Sequence, residues 1–206
     1  MRVTKADIVE ARDLLETLIL KTLQDRLRAN FIFSFDVKGS AKYNLVVTDN
    51  EEKFDIDYEL RLSHNSKFDL HNATSIKNKF YENLRDLLSN PKGVENSKTA
   101  ITFNLGLVDK DFGHVDVDIV ITRKHNGGIE IIKRNADDNH QHKYTWNQWT
   151  PKYMNADEKV KELDPNAKNE FMNEVVRRKR KQKDKPSTPY KTGVEIFLEV
   201  LGEYSK

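Results

Sequence analysis

Two aspartates, Asp55 and Asp57, stand two residues apart in a stretch where acidic and apolar side chains alternate. In an extended strand, side chains at i and i+2 point to the same face, so the two carboxylates would lie side by side. Oxygen ligands at this spacing can share or bridge hard divalent cations such as Mg²⁺. With a third acid, two such ions can activate a hydroxyl and stabilise the pyrophosphate that leaves in an in-line displacement.

A second alternating stretch, Val115 to Ile121, carries Asp116 and Asp118 and could supply that third acid. Carboxylates this close repel one another, so such a cluster is tolerated in solvent, beside basic groups or around a divalent metal. A strand with one solvated face also alternates acidic and aliphatic residues. An isolated Asp-x-Asp more often belongs to a solvated face than to a metal site.

Gly39 and Ser40 lie upstream of the acid pair and favour the metal interpretation. Glycine lets the backbone approach a ligand closely, and amide groups together with a serine hydroxyl can hold triphosphate oxygens. A Gly-Ser pair is common. Its combination with an acid pair on one strand and a further acid on a later strand is much rarer.

Helical and extended patterns predict the elements that would position these residues. Apolar residues at three- and four-residue steps predict helices over residues 5–29 and 72–88, and further helices at 160–163, 171–181 and 192–204. Alternation predicts strands over 54–62, 99–108 and 115–121, a hairpin partner at 129–132, and a strand or compact turn at 31–37. This order is that of a mixed α+β domain with a helical C-terminal segment.

The composition excludes several classes of protein. The 206 residues include no cysteine, which removes disulfide frameworks and thiolate nucleophiles. No apolar run approaches the roughly 20 residues of a membrane-spanning helix, and the charged N-terminus does not resemble a signal peptide. Because 35 Lys and Arg nearly balance 33 Asp and Glu, net charge does not indicate a nucleic-acid binder. We expect a cytoplasmic protein with no membrane contact.

Three segments carry a resemblance to a known family: Lys38 to Asn44, Phe54 to Tyr58, and Gly113 to Val117. Their succession of Gly-Ser, a D-x-D strand and a later Asp on a strand resembles the nucleotidyltransferases of the DNA polymerase beta superfamily. Within it, the sequence is most similar to the bacterial cGAS/DncV-like nucleotidyltransferases, the CD-NTases or cyclic-oligonucleotide synthases of anti-phage signalling. The resemblance covers Asp7 to Ile121.

The resemblance implies a polymerase-beta-like nucleotidyltransferase fold, with a mixed central sheet flanked by helices and a short helical C-terminal segment. Residues 1–135 would form the catalytic core. Residues 136–206 would form a connecting segment and a partial helical lobe.

The resemblance also implies roles for single residues. Asp55 and Asp57 would ligate two Mg²⁺ or Mn²⁺ ions. Asp116 would complete the metal site and help to activate the acceptor hydroxyl, with Asp118 as the competing choice. Asp116 is preferred because its Gly-His-Val-Asp-Val context matches the family's third-acid strand.

For the nucleotide, the resemblance implies contacts from Gly39 and Ser40 to the triphosphate. Lys42 and Arg61 are further phosphate-facing candidates, of which Lys42 is assigned to the nucleotide site. An exposed lysine near a turn is usually only solvated.

The activity implied is a Mg²⁺-dependent nucleotidyltransferase that uses ATP or GTP and makes a cyclic or linear oligonucleotide messenger. One alternative is a minimal enzyme that transfers a nucleotide to a protein or RNA acceptor, and another is an inactive nucleotide-sensing or partner-binding module. Family members continue into a longer helical lobe. We therefore expect either a minimal or truncated version, or a second subunit or regulatory protein that completes the lobe.

Other features have simpler interpretations. The basic run at 177–183 could bind nucleic-acid phosphates, but no aromatic residues interleave with it, so a solvated helical face is favoured. The polar tract containing His140 and His142 is expected to be a surface loop. Trp146 and Trp149 could stack on a base, but more often such residues attach a polar segment to the core.

Overall fold

A computed structural model describes residues 5–43, 53–88, 93–106, 114–135, 143–150, 156–184, 191 and 193–204. Every structural statement below concerns these residues. The helices are α1 (Lys5–Leu14), α2 (Lys21–Leu27), α3 (Gly39–Lys42), α4 (Ala73–Leu87), α5 (Ala156–Glu162), α6 (Pro165–Asp184) and α7 (Gly193–Tyr204). The strands are β1 (Phe33–Lys38), β2 (Lys53–Leu62), β3 (Val94–Asn96), β4 (Ala100–Gly106), β5 (His114–His125), β6 (Gly128–Arg134) and β7 (Tyr144–Gln148).

The first predicted helix is present, but a π-helical turn over Leu15–Leu20 separates α1 from α2. The backbone N–H of Lys21 donates to the carbonyl of Glu16, a five-residue step that marks the wider turn. The sequence pattern predicted one continuous helix because its apolar spacing tolerates this local change.

Seven strands form one mixed sheet in the order β1-β2-β5-β4-β3, with β6 paired to β5 and β7 paired to β6. β2 and β5 run parallel, whereas the other described pairs are antiparallel. The uncertain segment at 31–37 is therefore a strand. The hairpin between β5 and β6 turns at Asn126 and Gly127, whose φ angles of 48° and 76° are those of a tight hairpin turn.

The two faces of β2 and β5 differ as their alternation predicts. Their apolar side chains are buried, namely Phe54, Ile56, Tyr58, Leu60, Leu62, Val115, Val117, Ile119 and Ile121. The N-terminal helices and α4 cover this face. Tyr58 lies in this core, only 1% exposed, and its hydroxyl donates a hydrogen bond to Glu16 at 2.8 Å. The acidic side chains occupy the opposite face.

Helix α4 confirms the prediction for 72–88 and begins with a side-chain cap. The Asn72 side chain accepts a hydrogen bond from the backbone N–H of Ser75 at 2.9 Å. Such a cap satisfies an amide that has no partner within the helix. The apolar side of α4 packs on the sheet through Phe80, whose ring lies 5.2 Å from that of Phe33.

Strands β3 and β7 were not predicted. Residues 144–148 lie in the segment expected to be a connection, yet they pair with β6. Trp146 attaches this strand to the core, because its indole N–H donates to the carbonyl of Leu70 at 2.7 Å and its ring stacks under Arg123 at 4.3 Å. It serves the attachment role rather than base stacking. The tract with His140 and His142 lies outside the described residues.

Helices α5, α6 and α7 enclose a second, smaller hydrophobic core, formed by Ala156, Val160, Phe171, Val175, Ile196, Phe197, Val200 and Leu201. Tyr43, which follows α3, packs against it with its ring 5.0 Å from that of Phe197. The short helix α3 thus lies between the sheet and the C-terminal helices. No helix within the described ranges has the length and apolar character needed to cross a membrane.

Candidate active site

Parallel pairing of β2 with β5 brings the predicted acids onto adjacent strands. Asp55 lies opposite Asp116, and Asp57 lies opposite Asp118. Neighbouring strands are about 4.8 Å apart, and laterally paired side chains share a face. The four carboxylates therefore form one acidic cluster on the face of the sheet away from α4.

Strand β4 orients the two acids of β5. The Asn104 amide donates to Asp116 at 2.6 Å, and the Thr102 hydroxyl donates to Asp118 at 2.5 Å. Both supporting residues are absent from the sequence-based site. Their spacing of two residues within a predicted strand indicated that the two side chains share a face. Only the pairing of β4 with β5 shows which acids they reach.

Asp57 lies at the electrostatic centre of the cluster. Burial, followed by the negative charges of Asp118 and Asp55, raises the pKa of Asp57 to about 6, whereas Lys179 lowers it. Burial and neighbouring like charges both disfavour the ionised form of a carboxylate, and a nearby cation favours it. The acidic cluster is thus able to gain stability from an added cation.

Gly39 brings the end of β1 directly against this carboxylate. Its φ of 60° is in the left-handed region that favours glycine. A Cβ at this position would overlap the Asp57 carboxylate oxygen. The backbone can therefore approach Asp57 this closely only because residue 39 has no side chain.

The other two predicted nucleotide-binding residues belong to α3. The backbone of Ser40 is helical, but its side chain lies outside the described residues. The Lys42 ammonium lies 5.7 Å from the centre of the Tyr43 ring. The structure thus places α3 beside Asp57 without assigning a ligand contact to either side chain.

The basic run at 177–183 does not act as one surface. Arg177 and Arg178 both donate to Glu174, and Arg178 also reaches Glu203 and Glu199 on α7. These arginines join α6 to itself and to α7. The exposure of Arg177, Arg180 and Lys181 agrees with the solvated helical face that was expected.

Lys179 differs from its neighbours in the run because it faces the acidic cluster. Its charge lowers the pKa of Asp57. A Cβ added to Gly193 would lie 3.1 Å from the Lys179 Cε and 3.2 Å from Nζ, so the lysine passes over the start of α7. Sequence reasoning missed this residue, since nothing in a basic run shows which member faces inward.

The cluster has the chemistry of a divalent-cation site. Its donors are carboxylate oxygens, which Mg²⁺ and Mn²⁺ prefer, and burial together with the charges of Asp118 and Asp55 raises the pKa of Asp57. Within the described part of the chain, no three acidic or imidazole side chains already surround one point. A cation would have to draw the carboxylates of β2 and β5 together.

Comparison with known proteins identifies the fold. No protein-family model and no curated protein matches the sequence. Among solved structures, the chain superposes on CdnG, a CD-NTase of Bradyrhizobium diazoefficiens in complex with GTP, with a TM-score of 0.61 and 12% identity, covering 98% of this chain and 67% of CdnG. The CdnC protein of Escherichia coli MS115-1 with ATP gives a TM-score of 0.58 at 15% identity, covering 99% and 63%.

A third neighbour is Vibrio cholerae DncV, described as a cyclic AMP-GMP synthase and a prokaryotic cGAS homolog. It gives a TM-score of 0.59 at 9% identity, covering 84% of this chain and 46% of DncV. The chain thus spans less than two thirds of CdnC and less than half of DncV. Its fold is that of the CD-NTases, which confirms the α+β, polymerase-beta-like prediction.

Proposed function

We propose that this chain is a metal-dependent nucleotidyltransferase that uses ATP or GTP as nucleotidyl donor. The observation that carries the proposal is the acidic cluster centred on Asp57, with the Gly39 turn against one side of it and Lys179 facing it. Structural neighbours in complex with GTP and with ATP support the donor class.

In this proposal, Asp55 and Asp57 hold the divalent cations, and a carboxylate of β5 is the third ligand. Sequence context favoured Asp116 for that role. The strand register sets Asp118, not Asp116, directly opposite Asp57, and the charge of Asp118 raises the pKa of Asp57, which favours Asp118. When bound, Mg²⁺ or Mn²⁺ would neutralise triphosphate charge and lower the pKa of the attacking hydroxyl.

The remaining groups serve the triphosphate. Gly39 lets the backbone that leads into α3 lie against Asp57, so that phosphate oxygens bound by this backbone would be next to the cations, with Ser40 and Lys42 as further contacts. Lys179 offers a positive charge from the C-terminal helices. The acceptor hydroxyl attacks the α-phosphorus, its proton passes to a carboxylate of the cluster, and the bond to the β-phosphate oxygen breaks to release pyrophosphate.

We further propose that the product is a cyclic or linear oligonucleotide used in bacterial anti-phage signalling. The activity named for DncV supports this product class. A regulatory protein is also proposed, because another structure of CdnC is of a complex with HORMA-deltaN.

The test is incubation of the purified protein with radiolabelled ATP, GTP, CTP and UTP and with Mg²⁺ or Mn²⁺, followed by phosphatase treatment and chromatography. The inactive variant is Asp55→Ala/Asp57→Ala. A control with the same charge change is Asp25→Ala/Asp86→Ala, which alters two exposed acids on α2 and α4.

Phosphatase-resistant products from the parent protein and the control, but not from the inactive variant, would support the proposal. Label transferred to an added protein or RNA would establish the macromolecular acceptor instead. If no triphosphate is consumed in the presence of acceptors and partner, the proposed activity is wrong and a nucleotide-binding module becomes the better interpretation.

A further inference from the structure

A second group of charges lies on the same face of the sheet, next to the acidic cluster. Asp36 of β1 and Glu59 of β2 are directly opposite each other in the antiparallel pair. Like charges at directly opposed positions destabilise a strand pair. Lys38 resolves this conflict, because its ammonium bonds to Asp36 at 2.7 Å and to Glu59 at 3.0 Å.

Glu59 is the buried partner of Lys38 in this bridge, and other side chains hold it in place. Its side chain is 2% exposed. The Thr122 hydroxyl donates to it at 2.6 Å, and Arg61 donates from two nitrogens at 3.2 and 2.8 Å. Arg61 is therefore engaged with Glu59, which removes the main reason to place it at a phosphate. A buried carboxylate with this many partners has little freedom to move.

Lys38 is the last residue of β1, and the turn at Gly39 follows immediately. Lys38 pairs with Asp57 across the strands, and Gly39 packs against the Asp57 carboxylate. Burial alone would lower the pKa of Lys38, but hydrogen bonds to Asp36 and Glu59 outweigh it and raise that pKa. Lys38 therefore stays charged at neutral pH. It lies one residue before Gly39, where the backbone comes close to the Asp57 carboxylate.

We infer that Lys38, held between Asp36 and Glu59, is a positioning residue that fixes the Gly39 turn and α3 against Asp57. It acts through the backbone and touches no substrate. The structural part of this inference is independent of the proposed function. Its consequence for nucleotide binding rests on that function.

The structural test is hydrogen–deuterium exchange of the nucleotide-free protein, read at the amides of residues 39–43. Lys38→Met is expected to speed their exchange by about tenfold or more, because the turn opens locally when its anchor is lost. Lys38→Arg keeps a cation that can bridge the two acids and should stay within about threefold of the parent. Lys67→Met, at an exposed lysine in the loop after β2, is the matched control.

Exchange in the centre of β2 separates a local effect from general destabilisation. The inference predicts unchanged exchange there in Lys38→Met. Unchanged exchange at 39–43, or an equal increase across β2, would overturn it. Glu59→Gln tests the bridge from its other end and should reproduce the effect at 39–43 if Lys38 needs the carboxylate.

The kinetic test separates positioning from mere folding. Lys38→Met should raise the KM for the nucleoside triphosphate by about tenfold and change kcat by less than about threefold, because a displaced turn weakens ground-state binding. Lys38→Arg should restore KM. A loss confined to kcat would contradict the positioning role. If the parent protein consumes no triphosphate, the proposed function fails, whereas the exchange measurement still decides the structural inference.

Discussion

Asp57 and Glu59 are two residues apart on the same face of β2, yet their surroundings are opposite. The neighbours of Asp57 include Asp118 and Asp55, and together with burial they raise its pKa to about 6. Burial also acts on Glu59, but hydrogen bonds from Thr122, Arg61 and Lys38 hold the pKa of Glu59 below its usual value.

This difference shows how one strand face can hold a carboxylate among like charges beside one whose charge is matched by cations. Carboxylates that are buried beside like charges are destabilised when ionised, and they would gain from a bound cation. A carboxylate whose charge is already matched by Lys38 and Arg61 has nothing to gain from one. Identity of the side chain is therefore a poor guide to its role, and the charges around it are a better one.

The largest effect should come from the acids of β5. We expect Asp118→Asn to reduce nucleoside triphosphate turnover by at least roughly 100-fold and Asp116→Asn by less than about tenfold, because Asp118, opposite Asp57, would be the third carboxylate that holds the divalent cations. Steady-state turnover with Mg²⁺ checks this. The reverse order would contradict the assignment and make Asp116 the third ligand.

The next effect concerns the paired region. Glu59→Gln should lower the free energy of unfolding by about 2 kcal/mol, since Lys38 and Arg61 lose their anion but remain partly exposed to water. Urea denaturation at pH 7.5 measures it, with Glu82→Gln on the exposed side of α4 as the control. Equal stability of the two variants would show that the network around Glu59 contributes nothing.

A substitution in the acidic cluster should raise the free energy of unfolding, whereas Glu59→Gln lowers it. Between pH 3.8, the ordinary pKa of an aspartate, and about pH 6, the folded protein binds a proton at Asp57 that the unfolded chain has lost, so stability falls as pH rises through this range. Above about pH 6, the destabilisation of the folded protein by ionised Asp57 is fully present. Asp57→Asn should therefore stabilise the metal-free protein at pH 7.5 by roughly 1–2 kcal/mol.

Thermal or urea unfolding at pH 7.5 and pH 4 checks this prediction. The advantage of Asp57→Asn should shrink towards pH 4, where the carboxyl is protonated in the folded state. A variant that is less stable than the parent at both values would contradict the charge-repulsion account. Stabilisation of the parent by Mg²⁺, absent in Asp57→Asn, would complete the contrast with Glu59.

The smallest effect extends the comparison to a buried cation. Lys77 of α4 is fully buried and donates to the carbonyl of Thr99 at 2.6 Å, and burial together with the charge of Arg134 lowers its pKa to about 7. Between about 7 and 10.5 the unfolded chain holds a proton that the folded protein lacks, so stability rises with pH.

Lys77→Met should remove this rise and stabilise the protein at pH 7 by about 1 kcal/mol, because a similar apolar volume replaces a poorly solvated charge. Unfolding measured from pH 7 to pH 10, with Lys67→Met as the control, checks the slope. A slope that survives in Lys77→Met would show that another group causes it.

Much of this arrangement follows from local sequence. Alternation along β2 is a property of neighbouring residues, so the pattern predicts which side chains are buried and which share the acidic face. Asn72 marks the start of α4 and Asn126-Gly127 marks the hairpin for the same reason, since caps and tight turns depend on a few adjacent residues. Glycine at residue 39 was likewise visible as a position where the backbone could approach a ligand.

Other features depend on contacts between distant segments. The short polar strand β7 has no strong periodicity of its own and forms because β6 provides an edge. Lys179 belongs to a run of similar cations, and only the packing of α6 against α7 selects it to face the cluster. Alternation puts Glu59 on the same face of β2 as Asp55 and Asp57, but only the tertiary structure shows that its side chain is buried and paired with Lys38 and Arg61.

The sequence by itself thus determined most of the α+β elements, their buried faces and the presence of the acids and of the glycine turn. These properties arise from residues close together in the chain. The tertiary structure decided which acids meet, because the parallel register of β2 and β5 sets Asp57 opposite Asp118. It also decided which carboxylate lies among like charges and which is paired with cations. The electrostatic environment of a side chain is the sum of charges brought together from the whole chain.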